Sequence, residues 1–532
     1  MKPLVNMTVG TLLHQTAQEH PEAAAIRWHK RTINYQELDN TVDLCAKYLL
    51  HLGIKKGDHV GIWGEIDPES ITLFYAIQRI GAVAVMVNTL LKKDDVANAI
   101  RLADVSILFT GISYTKGRNF LPEAKGLNDL PQLREIIPLH LEEQGSVLQR
   151  NIETSEETQK LRKRESEVDP SDTAVIIFTS GSTGNPKAVM TSHYSRVNSG
   201  IQQASDLGAT TEDRFCVTIP LFHCFCVSAN VMAALACGGC LCVPDDRHTI
   251  SVMKALEQYH CTILHSVPTL YRALMGREDF DKWDISSLRI GIIGGSGYPP
   301  EDFERIEEKF GMTLLSSLGQ TEATAGLTVS NPTDSRELRC STVGHFMNHV
   351  EGKITEIETG ETLPEGKTGE ICVRGYLVMQ GYYKQPDLTA QAIDCEGWLH
   401  TGDLAEMDKN GYLTMKGRIK DLIIRGGENI SPIEIQDEIC TLPEIAYCKI
   451  VGVPDAHYGE EACACVVCRE NAEISAEQIK AYLEGRIAAY KIPRYFLFYD
   501  KLPVTTAGKV DPKAVKKMAV EALGLLTAHS VI

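Results

Sequence analysis

Short apolar, β-branched runs alternate with helical stretches through most of this chain. Residues 57–63 read as a turn and a strand, 68–80 as a helix, and 81–87 as a fully buried strand. An amphipathic helix opens at Tyr35 and runs to about Leu52. The alternation continues to about residue 120 and resumes after Val243. There 251–259 is helical, 262–267 a strand, Pro268 a helix start, and 288–293 and 312–317 are strands. Helices between successive strands supply the crossovers that parallel pairing needs. The expected fold class is therefore α/β, with parallel, doubly wound sheets.

The rhythm changes in three places. Residues 141–171 are polar, with a basic run at Lys160–Arg164, and read as a solvated helix face or exposed connector. From about 340 to 415, short strands are divided by the turn signals Gly360-Glu361, Glu365-Gly366 and Asn410-Gly411, which predicts a small β subdomain. Strands at 447–453 and 463–468, with helices at 433–440 and 475–486, predict a compact α+β unit after Gly417. The expected domains are 1–416 and 417–532.

A formal net charge of −17 repels nucleic acid and anionic membranes, so neither is an expected partner. Any phosphate must then be held by local donors. Residues 219–243 carry no Asp, Glu, Lys or Arg and are long enough to span a membrane. Pro220, His223, Asn230 and Gly238-Gly239 argue instead for a buried core helix between loops, with no membrane span. The sixteen cysteines are scattered, and no apolar signal core follows Met1; reduced thiols in a cytoplasm are expected. Cys463, Cys465 and Cys468, like Cys224, Cys226, Cys237, Cys240 and Cys242, read as small buried hydrophobes and not as metal ligands.

Thr179-Ser180-Gly181-Ser182-Thr183-Gly184-Asn185-Pro186-Lys187 follows the apolar run 174–178. Backbone without side chains wraps phosphate oxygens closely, hydroxyls add donors, and Lys187 adds a point charge. The loop suits a polyphosphate. Pro186 before the lysine, and no Ser or Thr after it, separate it from a Walker loop. By itself it also fits a flexible surface loop.

Four further stretches carry polar groups in ligand-facing contexts. In Ser317-Leu318-Gly319-Gln320-Thr321-Glu322, Gly319 admits a close approach, Thr321 offers a hydroxyl, and Glu322 is a hard oxygen ligand suited to Mg²⁺. A helix-capping motif looks similar. In 397–403, Asp403 after a glycine turn can accept from both ribose hydroxyls, or form an ordinary Asx-turn. Residues 417–429 place Gly426-Gly427 after a buried strand, as a close-approach loop or a plain connector. Residues 503–510 form a loop around Lys509 that alone says little.

These five stretches, in this order, resemble the adenylate-forming superfamily of acyl-CoA synthetases, peptide-synthetase adenylation domains and luciferases. The resemblance runs from Tyr35 to Lys509. Residues 220–224, 261–270 and 424–430 are similar to the medium-chain fatty acyl-CoA synthetase branch. It implies a large N-terminal domain of two doubly wound subdomains and a small β-barrel, followed by a mobile C-terminal domain. It also implies a two-step ligase: a carboxylic acid attacks the α-phosphate of ATP, and coenzyme A then displaces AMP.

By the same resemblance, Thr179, Ser180, Gly181, Ser182, Thr183, Gly184 and Lys187 hold the phosphates, and Glu322 holds Mg²⁺. Gly294, Gly295 and Ser296 flank adenine beside Gly319, Gln320 and Thr321; Asp403 and Arg418 bind ribose. Lys509 contacts the carboxylate and α-phosphate. His223 borders the acyl pocket, Lys420 is the hinge, and Gly426 and Gly427 line the coenzyme A path. Leu318 in place of an aromatic, Ala188 in place of glycine, and Ser296-Gly297-Tyr298 depart from the pattern. The expected acid is a medium-chain fatty acid, because no buried cation for a second carboxylate is evident. Aryl, carnitine-type and bile acids stay open as substrates, as do loading of a carrier protein, a non-catalytic nucleotide-binding role, and homodimerisation.

Overall fold

The computed structural model describes residues 2–141, 145–146, 155–180, 186–298, 300–426, 428–504 and 510–525. Two seven-stranded sheets carry the alternating rhythm. The first runs Gly381–Tyr382, Pro186–Ser192, Thr173–Ser180, Val83–Met86, His59–Trp63, Ile107–Thr110, Glu135–Pro138. Its last five strands are parallel, and the two at the other edge are antiparallel. The second runs Thr313–Ser317, Ile290–Gly294, Ile263–Leu264, Arg214–Cys216, Cys240–Val243, Ala24–Trp28, Arg31–Asn34. It is parallel up to its terminal hairpin. Thr173–Ser180 with Pro186–Ser192, and Ala24–Trp28 with Arg31–Asn34, are hairpins whose connections are too short for a parallel crossover, and Gly381–Tyr382 joins the first sheet from far along the chain.

The helices between the sheets build the core that positions the site. Asp67 accepts from the Ser70 amide at 2.7 Å in a capping box, and Pro68 starts the helix Pro68–Arg79. Every residue of that helix except Glu69 is buried. Its apolar side chains join one core with residues of both sheets and of His193–Asp206. Each fully buried aliphatic or aromatic side chain there contributes about 1.5–3 kcal/mol. Arg79 ends the helix wholly buried and pairs with Asp39 and Asp43. The segment without charges is a buried π-helix, Cys226–Met232, continued by Ala233–Cys237 and stopped at Gly238 with φ +71°. No helix among the described residues is long and apolar enough to cross a membrane.

The helix Ser155–Ser166 matches the polar connector, and its basic run is matched locally by Glu156, Glu157, Asp43, Glu165 and Glu167. The small β unit is an antiparallel sheet ordered Val350–Thr355, Gly369–Gly375, Leu399–Met407, Leu413–Arg418, open among the described residues. Its last strand crosses the expected boundary at 416/417, because Gly417 and Arg418 still pair with Leu404 and Asp403. The chain leaves the strand at the single turn Ile419–Asp421. Beyond it, five strands and the helices Pro432–Cys440, Ala476–Leu483 and Pro512–Ala522 form the α+β unit. Cys448, Cys463 and Cys465 are completely buried among its apolar residues.

Candidate active site

The glycine-rich stretch is the tip of a hairpin. Thr179 and Lys187 face each other across the antiparallel strands, as do Ser180 and Pro186. Gly181, Ser182, Thr183, Gly184 and the Ser180 side chain lie outside the described residues. The strand Thr173–Ser180 is parallel to Val83–Met86, so the tip stands at the carboxyl edge of the sheet, where open α/β sheets bind ligands. Ala188, next to the lysine, is wholly buried in the core with Val85, Val87 and Ile176. Its methyl group therefore packs into the core, on the strand face opposite Lys187.

Lys187 Nζ lies 4.6 Å from the ring centre of Tyr382, and the Tyr382 hydroxyl donates to Glu322 Oε1 at 2.9 Å. Burial, then the Glu322 charge, pushes the Tyr382 phenol up, so it stays a neutral donor. Sequence reasoning missed this tyrosine. The signal available was its place directly after a glycine, Gly381; in the structure Gly381 has φ +136° and pairs with Met190, and Tyr382 pairs with Val189.

Glu322 stands on the single turn Thr321–Ala323. Thr324 and Ala325 follow with φ +53° and +97°, a left-handed pair of non-glycine residues. Gly319 is forced by this turn. A Cβ there would fall 1.5 Å from the Ala325 carbonyl oxygen. The close approach expected of Gly319 toward a ligand is thus made by the protein's own backbone. Leu318 packs on the apolar cluster of Val189, Ala323 and Leu327, and Gln320 Nε2 is buried without a partner.

Asp403 and Arg418 are register partners on adjacent strands. Arg418 Nε donates to Asp403 Oδ1 at 2.7 Å, while Oδ2 is buried and has no partner among the described residues. Burial raises the Asp403 carboxyl above its ordinary value, against the pull of Arg418 and Lys420. Asp403 is also within electrostatic reach of Glu322, so the two sequence motifs meet in space. An acceptor oxygen held dry and unused fits a hydroxyl-bearing ligand such as ribose. Behind it, Glu370 accepts from the Gly402 amide at 2.9 Å and from His400 Nδ1 at 2.8 Å, fixing the turn that presents Asp403.

Gly294 ends its strand opposite Ser317, and Gly295 turns with φ +86° beside the half-buried Ser296. Tyr298, within the departing Ser296-Gly297-Tyr298 run, turns into the core. Its hydroxyl meets Ser316 Oγ, and its ring stacks on Phe303 at 5.9 Å in the core under the next helix.

His223 precedes the buried π-helix, with Nδ1 accepting from the Phe225 amide at 3.2 Å and lying 3.8 Å from Cys224 Sγ. Cys224 in turn accepts from Thr321 Oγ1 at 3.4 Å, which joins the His223 segment to the Glu322 turn. One sequence expectation fails here. Arg196, in electrostatic reach of Cys224, is a completely buried cation with no carboxylate beside it among the described residues. No spacing or motif in the helix His193–Asp206 marks it. The sequence argument against an anionic acyl group is thereby lost.

In the C-terminal unit, Gly426 has φ +59°, which favours glycine, donates to the Tyr458 carbonyl at 2.8 Å, and would bring a Cβ into tight contact with the Tyr458 ring at 3.1 Å. Lys420 is exposed on the turn after Arg418. Gly427 and Lys509 lie outside the described residues.

The chain matches the AMP-binding enzyme family over residues 13–383 and the AMP-binding enzyme C-terminal domain over 434–509. YngI of Bacillus subtilis, named for acyl-CoA synthetase activity, is 36% identical over 556 residues, covering 99% of this chain and 100% of that one. The medium-chain acyl-CoA ligase ACSF2 of Danio rerio is 34% identical, over 98% of this chain and 90% of that one. ATP-bound MatB from Rhodopseudomonas palustris superposes with a TM-score of 0.84 at 25% identity, covering 97% of this chain and 100% of that one. The chain belongs to the AMP-binding enzyme family, within the adenylate-forming superfamily near the medium-chain acyl-CoA synthetases, and is an enzyme of the AMP-forming acyl-CoA synthetase class.

Proposed function

We propose that the chain joins a medium-chain fatty acid to coenzyme A through an acyl-adenylate, using ATP. The observation that carries this reading is the approach of Lys187, Tyr382 and Glu322 to a dry Asp403 with one free acceptor oxygen. A carboxylate attacking a polyphosphate is anion meeting anion, so positive charge fixed in advance lowers the barrier. Lys187 supplies it at the hairpin, with the Thr179 hydroxyl beside the tip. Asp403 and Arg418 would hold the ribose, and Gly294, Gly295 and Ser296 the adenine face. Glu322 offers the carboxylate for Mg²⁺, which when bound neutralises and orients phosphate oxygens. Lys509 would bring the acid and α-phosphate into line and then withdraw as residues 417–532 turn about Lys420. Gly426 and Gly427 would border the pantetheine route.

The medium-chain preference rests on the relatives' names and on the apolar segment after His223. A cytoplasmic setting accords with sixteen cysteines that all remain unpaired. Thioester formation with coenzyme A, ATP and Mg²⁺ across acids of graded length and shape tests the reading. A maximum at medium chain length is expected. A maximum at an aryl, carnitine-type or bile acid overturns the substrate, and turnover only onto a carrier protein overturns the acceptor.

A further inference from the structure

We infer that Arg196 is a positioning residue for adenylation, tying the strand that carries Lys187 to the turn that carries Glu322. The inference rests on the adenylate reading above. Arg196 Nε donates to Thr191 Oγ1 at 2.9 Å, four residues along the strand from Lys187. Its Nη1 donates to Ser228 Oγ at 3.1 Å. The Ser228 hydroxyl in turn donates to the Thr324 carbonyl at 2.6 Å, two residues past Glu322. Thr324 Oγ1 closes the chain on the Leu377 carbonyl at 2.6 Å.

The direction of these bonds explains the choice of side chain. A hydroxyl has one proton. With Arg196 donating to its lone pair, the Ser228 proton is left for the Thr324 carbonyl. The planar guanidinium reaches Thr191 and Ser228 from one side chain, which the single ammonium of a lysine does less well. The turn it secures is strained, with left-handed Thr324 and Ala325, and such backbone persists only where surroundings over-determine it. A buried charge without a counter-charge is costly, and burial pulls the Arg196 pKa down to about 10. That cost is intelligible if the charge holds the two halves of the phosphate site together.

On the full chain, acid-dependent exchange of pyrophosphate into ATP reports adenylation, and capture of supplied acyl-adenylate by coenzyme A reports the second half. Arg196→Met is expected to raise the KM for Mg-ATP in exchange about tenfold while leaving thioester formation within about twofold. Arg196→Lys should recover part of the loss. Ser228→Ala, which removes only the hydroxyl, should act in the same direction, and the double variant should be no worse than Arg196→Met. Equal loss of both half-reactions, or an unchanged Mg-ATP dependence, overturns the inference. If Arg196→Met does not fold, Ser228→Ala decides alone by the same two criteria. Wild-type chain that exchanges pyrophosphate with no acid removes the adenylate reading, a separate outcome.

Discussion

The hydroxyl of Tyr382 donates to Glu322 Oε1 at 2.9 Å, while the ring of the same residue lies under the Lys187 ammonium at 4.6 Å. One side chain thus spaces the cation at the hairpin from the carboxylate on the turn.

Tyr382→Phe keeps the ring and removes only the hydroxyl. Loss of a hydrogen bond to a charged group costs about 1.5–3 kcal/mol. Adenylation kcat/KM, measured by pyrophosphate exchange, is expected to fall at least about tenfold, with thioester formation from supplied adenylate unchanged. Wild-type exchange rates in the variant would show that the hydroxyl does not orient Glu322.

Gly319→Ala forces a methyl group into the Ala325 carbonyl, 1.5 Å away. Backbone must move to relieve it, and the turn carrying Glu322 moves with it. Stability is expected to drop by roughly 3 kcal/mol or more, together with adenylation. Denaturant titration checks the first, pyrophosphate exchange the second. A variant of wild-type stability would mean the turn adjusts freely.

Asp206 gives a pH dependence with a definite sign. Burial pushes its carboxyl up to about 7, and its Oδ2 has no partner among the described residues. The folded carboxyl therefore holds its proton over a range where the unfolded one, near 3.9, has lost it. The stabilisation from this group is fully present below about pH 4 and is lost as pH rises toward 7. Asp206→Asn should flatten this part of the stability profile, read by denaturation at pH 5, 6 and 8. A profile identical to wild type would rule the residue out as the source.

The roles proposed for Lys509 and Gly427 predict opposite effects on the two half-reactions. Lys509→Ala is expected to abolish adenylation and leave the reaction of supplied acyl-adenylate with coenzyme A largely intact. Gly427→Leu should do the reverse. Parallel losses in both assays for either variant would remove its assigned role.

Much of the site can be read from local sequence. Glu322 and Asp403 each stand within a few residues of a glycine in a loop after or between strands, and those local cues are the ones a ligand site leaves. The charges of both are brought within mutual reach by the fold. Tyr382 has only the neighbouring Gly381 as a cue, and Arg196 has none. Their partners lie 60 and 32 positions away, at Glu322 and Ser228, and neither separation follows a helical or strand period. Gly319 and Gly426 illustrate the opposite case. Their glycine identity was legible, but its immediate cause is the protein's own Ala325 carbonyl at Gly319 and a left-handed φ of +59° at Gly426.

By itself the sequence determined the α/β class, the order of motifs and the family, because strand and helix periods and loop chemistry are local properties. It did not settle which edge each hairpin joins, where Ala188 and Tyr298 point, or that a buried guanidinium lies behind the Glu322 turn. Those depend on contacts between segments far apart in the chain. Only the packed sheets decide them, since close packing admits one arrangement of each side chain among its neighbours.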